Sequence, residues 1–262
     1  FLNLRTFQKN GKCFNKKTKK QIKALIITHM YGNASSFLKI FRICKLKNIK
    51  IVEDAAESLG TFYKSDYFKK KHTGVIGDIG CFSFNGNKII TTGNGGALIT
   101  NKKIYEKKIR YYINQSKENN YEYLHHEIGF NYRMTNLSAA LGYGQIRSLR
   151  KILIKKKKIF DIYDGLLKKN NNFYINSTPS YSANNNWLVI CRLKKKKYNS
   201  TIKKIVTYCK KKKIEIRPIW RPCHLQKFLR RYETYKIKKA LELYNSSICL
   251  PSFLKEDKTF DF

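Results

Sequence analysis

The chain has 262 residues, 42% hydrophobic and 14% aromatic, which excludes wholesale disorder and suits one large domain with or without a smaller companion. Four prolines and 14 glycines exclude a collagen-like or proline-rich scaffold. Lys+Arg is 55 against 17 Asp+Glu, a formal charge of +38, and no run of about 18 apolar residues predicts a membrane-spanning helix.

Ala24–Thr28, ALIIT, predicts a buried strand, followed by a turn at His29–Gly32. Phe37, Ile40, Phe41 and Cys44 recur at helical spacing and predict a helix to Leu46. Ile49–Val52 predicts a second strand, so the segment reads as a βαβ unit with a right-handed parallel crossover. Glu53 and Asp54 follow the apolar part of that strand, where open α/β sheets place ligands. Thr61–Gly77 reads as a loose polar stretch and Ile79–Phe84 as a strand. Asn85–Gly96 begins as a turn whose glycines, near Lys88, let backbone approach closely. Ala97–Thr100 predicts a short strand and Ile104–Ile113 a helix. Asn136 is expected to cap a long helix running through Leu149 to Leu167, with a small-residue face at Ala139, Ala140 and Gly142. The asparagine-rich stretch Asn170–Asn186 reads as a loop near a domain boundary. Trp187–Leu193 predicts a strand, Ile202–Lys212 an amphipathic helix, Ile214–Arg217 a strand stopped at Pro218, and Leu241–Ser247 a helix. The expected division is 1–165 and 166–262.

The charge alone points to nucleic acid or an anionic membrane surface. Composition offers a simpler cause, because AT-rich codons encode the abundant Lys, Asn, Ile, Phe and Tyr. Lys155–Lys158, Lys194–Lys197 and Lys210–Lys213 then read as solvated faces. No ordered nucleic-acid motif is present, and neither nucleic acid nor membrane is expected as a partner. The seven cysteines are scattered, with no CxxC pair, so structural zinc and a disulfide framework are not expected and a reduced, cytoplasmic setting is.

Three segments carry chemistry in order: a carboxylate at a strand end (Asp54), a serine on a strand (Ser83), and a lysine in a glycine- and asparagine-rich turn (Lys88). A carboxylate can pair with a protonated heterocyclic nitrogen, a lysine can bond an aldehyde, and a hydroxyl can contact a phosphate. Pyridoxal phosphate needs that inventory. Lysine is the commonest residue here, so Lys88 also reads as a surface lysine in a turn.

The wording of the motifs is more specific. IVEDAAESLGTFYK (Ile51–Lys64), GDIGCFSFNGNKIITTGNGGALITN (Gly77–Asn101) and HEIGFNYRMTNLSAALGYGQI (His126–Ile146) resemble the DegT/DnrJ/EryC1/StrS family of sugar aminotransferases. RPIWRPCHLQ (Arg217–Gln226) and CLPS (Cys249–Ser252) resemble that family's small-domain segments. The combination is most similar to the branch that aminates UDP-linked 4-keto-6-deoxy sugars in legionaminic acid and bacillosamine-type pathways. The resemblance implies an α/β fold of fold type I: a large domain with a mostly parallel sheet flanked by helices, and a smaller α+β C-terminal domain. It implies pyridoxal 5'-phosphate as cofactor, glutamate as amino donor, a nucleotide-linked keto sugar as acceptor, a role in polysaccharide, lipopolysaccharide or glycan biosynthesis, and a homodimer with shared active sites.

Matching positions carry the family's roles as implied by the resemblance. Lys88 holds the cofactor covalently and moves the proton. Asp54 pairs with the pyridine nitrogen, Glu57 lies near the ring or its 3-oxygen, and Ser83 contacts the phosphate. Asn131 matches the residue that reaches the partner subunit's cofactor phosphate. Arg133 orders that loop or meets substrate, His29 and Tyr31 line the pocket, and Arg217, Trp220 and His224 are substrate-side positions. No metal site is expected. Lys88 argues against the dehydratase branch, which carries histidine there.

The chain departs from the family pattern in four places, one of them the stretch before His29, KNGKCFNKKTKKQ, where lysines largely replace the usual acidic residues. Roughly a hundred residues that precede this start in the family, including a phosphate-clasping turn at a helix N-terminus, are expected to be missing. The last helix is expected to be cut short after Ser252. Asn94 stands where glycine is usual in TTGxGG, a place where Asn tolerates a left-handed backbone. Two other readings therefore stand beside the enzyme: an inactive fragment or non-catalytic partner subunit, and a basic nucleic-acid-binding protein.

Overall fold

The computed structural model describes residues 1–119, 121–194 and 198–253. The chain forms two compact units, one of Phe1–Leu153 with Pro179–Asn185, the other of Ile154–Thr178 with the chain from Asn186 onward. Among the described residues, no helix is long and apolar enough to cross a membrane.

The first unit opens with an antiparallel hairpin, β1 (Thr6–Lys9) and β2 (Lys12–Asn15). Its turn is Asn10-Gly11, both with positive φ (48° and 67°), the backbone that a two-residue hairpin demands and that Asn-Gly supplies at least cost. β3 (Ala24–Thr28), α1 (Leu38–Leu46) and β4 (Lys50–Asp54) follow. β3 and β4 pair in parallel, Thr28 opposite Asp54. The expectation of a buried first strand is corrected: β3 lies at the sheet edge and Ile26 is 69% exposed. α1 buries the predicted face, with Phe37 and Cys44 in the core and Ile40 and Phe41 packed against it.

The loose stretch contains β5 (Phe62–Tyr63). β6 (Ile79–Ser83) adds to β4 in parallel, Asp54 opposite Cys81, and β7 (Gly96–Ile99) closes the order β3-β4-β6-β7 as an antiparallel edge. Gly80 is required by space: a Cβ there would lie 1.8 Å from the Gly74 carbonyl oxygen. Asp78 ties the loop before β6 to β4, accepting the Ile51 N–H at 2.8 Å and bonding the Lys102 ammonium. α2 (Lys103–Ile113) follows. α3 (Asn136–Leu167) is capped by Thr135 rather than Asn136, since Thr135 Oγ1 accepts the Ser138 N–H at 3.2 Å. The hydroxyl sits one residue earlier, where the backbone has not yet turned helical.

Two strands, one in the second unit and one in the first, lie where sequence suggested loops. β8 (Phe173–Ile175) falls inside the stretch read as a loop, as does β9 (Ser182–Ala183), which pairs with β5 in the first unit. β10 (Val189–Leu193), α4 (Tyr198–Lys211), β11 (Arg217–Pro218), α5 (Lys238–Ser246) and β12 (Ser247–Leu250) complete the chain. β11 begins at the last residue of the predicted strand. The sheet order is β11-β12-β10-β8, antiparallel throughout. Val189, Cys191, Ile175, Ile202 and Ile248 form its core, with Ile159, Phe160 and Tyr163 of α3 packed on them.

The lysine runs behave unequally. Lys210–Lys213 are exposed, and Lys195–Lys197 of the second run lie outside the described residues, as does the expected truncation after Ser252 from residue 254 onward. Lys156, however, is only 8% exposed and donates to the carbonyls of Trp187 (3.1 Å) and Ser252. Lys157 and Lys158 are exposed and Lys155 is half-buried, whereas Lys156 is turned toward the segments that precede β10 and follow β12. Burial pushes its pKa down to about 8.

Two outcomes check this packing. Gly80→Ala should destabilise by roughly 3 kcal/mol or more, because its clash is with backbone, seen as a lower denaturation midpoint. A lysine that loses affinity for its proton on folding costs stability below its folded pKa. The unfolded chain binds the extra proton between pH 8 and 10.5, so stability should rise with pH across that window. Lys156→Met should flatten that rise in urea titrations.

Candidate active site

Parallel strands deliver their side chains to the carboxyl edge of the sheet. Asp54 ends β4, Ser83 ends β6, and the turn after β3 carries His29 and Tyr31. Asp54 Oδ1 accepts the Ala56 N–H at 3.1 Å, and its second oxygen is not engaged by that turn. Glu57 is buried and accepts the Tyr31 N–H at 2.5 Å. Tyr31 reaches it from a left-handed backbone, φ 54°, which a bulky residue adopts only when its surroundings hold it.

Burial drives the Glu57 carboxyl up to about 7, against the opposing pull of the Tyr31 N–H and Lys88, with the Asp54 charge adding to the rise. Burial likewise lowers the Lys88 pKa, opposed by Glu57 and Asp54. The three groups therefore lie near enough to influence one another in partly dehydrated surroundings. A lysine amine held below its usual pKa is a better nucleophile near neutrality. Ser83 is half-buried, and its Oγ accepts the Asn85 N–H at 3.4 Å in the turn that leads to Lys88.

The Lys88 turn is braced from several sides. Lys88 N–H donates to Asn85 O, Thr91 and Thr92 return to Phe84 O, and Thr91 N–H donates to Gln145 Oε1 of α3 at 3.0 Å. Gly142 lies so near Thr92 that a Cβ would meet its methyl at 2.8 Å. Gly93 and Gly95 take positive φ on either side of Asn94, so Asn94 itself needs no left-handed tolerance.

The other sequence-predicted residues separate into groups. His29 is fully buried with both ring nitrogens engaged: Nδ1 accepts the Ser35 N–H at 3.1 Å, so Nε2 carries the proton directed at Glu53 Oε2, 2.9 Å away. Asn131 and Arg133 lie on the wall of a separate cleft of about 1020 Å³, formed by Phe82, β7, α2 and residues 131–135, to which Asp54, Glu57 and Lys88 contribute nothing. Arg217, Trp220 and His224 belong to the second unit. There Arg217 pairs with Glu215, the Trp220 ring lies 5.7 Å from that of Trp187 at a tilt of 52°, and His224 Nε2 is buried without a hydrogen-bond partner among the described residues.

Sequence reasoning missed two supports. Glu53, one residue before Asp54, has no solvent exposure. Two adjacent carboxylates at the end of an apolar strand were the available signal, since strand alternation sends the two side chains to opposite faces. Asn185 donates to the carbonyls of Glu57 (2.7 Å) and Leu59 (2.9 Å). Its sequence separation from them left no local signal.

Glu57 carries a pH signature. Its carboxyl rises from an ordinary 4.5 to about 7 on folding, so the folded chain binds more protons between those values. Stability should fall by roughly 3 kcal/mol as pH rises through that window, and Glu57→Gln should remove the slope in denaturation midpoints measured from pH 4 to 8.

The chain matches the sequence model of the DegT/DnrJ/EryC1/StrS aminotransferase family over residues 5–258. It is 32% identical over 251 residues to the GDP-perosamine synthase of Escherichia coli O157:H7, covering 95% of this chain and 65% of that protein. It is 32% identical over 159 residues to the UDP-4-amino-4,6-dideoxy-N-acetyl-beta-L-altrosamine transaminase of Campylobacter jejuni, covering 60% and 41%. Helicobacter pylori PseC, an aminotransferase involved in the biosynthesis of pseudoaminic acid, superposes with a TM-score of 0.78 at 24% identity over 87% of this chain and 61% of that one. The fold is thus the α/β architecture of fold-type I aminotransferases. The chain spans 58–65% of the length of the first curated relatives it matches. The match over residues 5–258 overturns the expectation that the family's opening segment is lacking, because the family pattern runs through almost the whole sequence. Strand-end carboxylate, braced lysine turn and motif order meet in one conclusion: this chain belongs to the DegT/DnrJ/EryC1/StrS aminotransferase family.

Proposed function

We propose that the protein is a pyridoxal phosphate-dependent aminotransferase that moves an amino group from glutamate to a nucleotide-linked 4-keto-6-deoxy sugar, for cell-surface polysaccharide or glycan synthesis. The observation that carries this reading is the Asp54–Glu57–Lys88 cluster at the carboxyl ends of β4 and β6. The named activities of the Escherichia coli and Campylobacter relatives support the substrate class.

The donor set fits the cofactor: a carboxylate for a protonated ring nitrogen, a lysine amine of lowered pKa for an aldehyde, and a hydroxyl at a strand end for a phosphate. When bound, pyridoxal phosphate supplies the electron sink for breaking a C–H bond next to nitrogen. Asp54 keeps the ring nitrogen protonated. Glu57, itself held by the Tyr31 N–H, would help orient the ring. Lys88 anchors the aldehyde and then holds and moves the proton at the carbons that exchange the amine. Ser83 binds the phosphate. Tyr31 and His29 shape the pocket; Arg133 in the first unit and, by itself, the second unit's group Arg217, Trp220 and His224 are the substrate-side positions that the family motifs imply, where guanidinium groups suit a sugar diphosphate.

We further propose a homodimer in which Asn131 serves the partner's phosphate site. The exposed side chains of Tyr121, Ile128, Tyr132, Leu137 and Tyr143 support this, as a concentration of apolar surface that a monomer rarely leaves wet. A cytoplasmic setting is supported by the scattered spacing of the seven cysteines, which form no CxxC pair.

Adding pyridoxal phosphate should produce a visible absorbance band that glutamate bleaches, and Lys88→Ala should abolish it. Asp54→Asn should retain binding but lower turnover by at least about a hundredfold, on the scale of removing one preorganised electrostatic partner. Light scattering should report a dimer, and Leu137→Glu with Tyr132→Glu a monomer. A folded wild-type chain that gives no Lys88-dependent band would overturn the enzyme reading.

A further inference from the structure

Glu53 is the most completely enclosed charge in the first unit. Each of its oxygens takes two donors. Oε1 accepts the N–H groups of Ile76 (2.6 Å) and Gly77 (2.5 Å); Oε2 accepts the Gly74 N–H (2.8 Å) and His29 Nε2–H (2.9 Å). Burial opposes this charge, yet the bonds from His29, Gly77 and Gly74 hold its pKa below the ordinary carboxylate value. His29 then passes the constraint on. Its Nδ1 takes the Ser35 N–H, and its own backbone N–H donates to Asp54 O at 3.0 Å. The turn fixed between His29 and Ser35 contains Tyr31, whose strained backbone presents its N–H to Glu57. Ser35 Oγ on Thr28 O and Thr61 Oγ1 on Gly32 O close the same turn.

We propose that Glu53 and His29 act as a positioning pair for the cofactor pocket: Glu53 fixes the His29 ring, and His29 sets the turn through which Tyr31 holds Glu57 beside Asp54 and Lys88. This inference rests on the function proposed above. It goes beyond it in giving His29 a role through Glu53 rather than through substrate, and in making the 74–77 loop part of the same unit. No bond forms or breaks; the pair acts by geometry alone. The left-handed Tyr31 is the step most sensitive to it, because nothing in that residue's own preference sustains the conformation.

The test uses the full chain and three variants. Glu53→Gln keeps the shape but turns one oxygen into an amide that faces two donors. His29→Leu removes both ring bonds. His29→Gln restores an N–H toward Glu53. Thermal melting, pyridoxal phosphate affinity by absorbance, and the pH midpoint of the bound-cofactor band are measured for each, well below its melting temperature. E53Q and H29L should weaken cofactor binding by roughly tenfold or more, the scale of supporting-shell losses, and shift the pH midpoint. H29Q should recover most of both. A lower melting temperature with wild-type affinity and midpoint would make the pair merely structural and overturn the proposal. Should E53Q not fold, the contrast between H29L and H29Q decides the same point. A wild-type chain with no Lys88-dependent band would take down both readings, whereas wild-type binding with unaltered variants overturns this one alone.

Discussion

A carboxylate with no contact to water must be met by donors on every side, and in this chain one such group organises its surroundings. Four N–H groups converge on Glu53, and an unpaired charge at that depth would cost several kcal/mol. The loop before β6, the turn after β3 and the end of β4 therefore have one mutual arrangement that satisfies it. Asp54 inherits its place from that arrangement, because it is the next residue along the strand. Alternation sends it to the opposite face, away from the donors its neighbour consumes. One strand end thus carries a fully enclosed carboxylate and, beside it, a second carboxylate on the opposite face.

Elements defined by local periodicity were legible in the sequence. The αβ pattern from β3 to α2 and the long helix α3 follow from apolar spacing, and the three motifs carried the family. Elements defined by distant partners were not legible. β8 and β9 lie in an asparagine-rich stretch with little strand propensity, and they pair because β10 and β5 offer them edges. β3 reads as buried from composition alone, yet its edge position leaves Ile26 in water. The first hairpin carried a readable signal in Asn10-Gly11 that the apolar pattern around it obscured. The site followed the same division. Asp54 and Lys88 lay in specific wording, while Asn185 became visible only once the chain was folded back upon Glu57.

The surplus of lysine is less uniform than the formal charge suggests. Many lysines sit on wet faces, as a base-composition bias would leave them. Asp78 and Lys102 show the opposite use, a surface-reaching ammonium that settles a buried carboxylate already committed to the Ile51 N–H. Lys156 shows a third use, in which the amine serves as a hydrogen-bond donor to two carbonyls inside the second unit. Each role follows from the depth at which the side chain ends.

The return of residues 179–185 to the first unit also sets an order of events at the ribosome. Folding generally proceeds from the N-terminus as the chain emerges. Here the loop that carries Glu57 keeps two bare carbonyls, those of Glu57 and Leu59, until Asn185 arrives. β5 likewise waits for β9. This part of the first unit therefore stays unfinished while all of α3 is being translated, and the last stitch is made by a segment that follows the opening of the second unit in the chain.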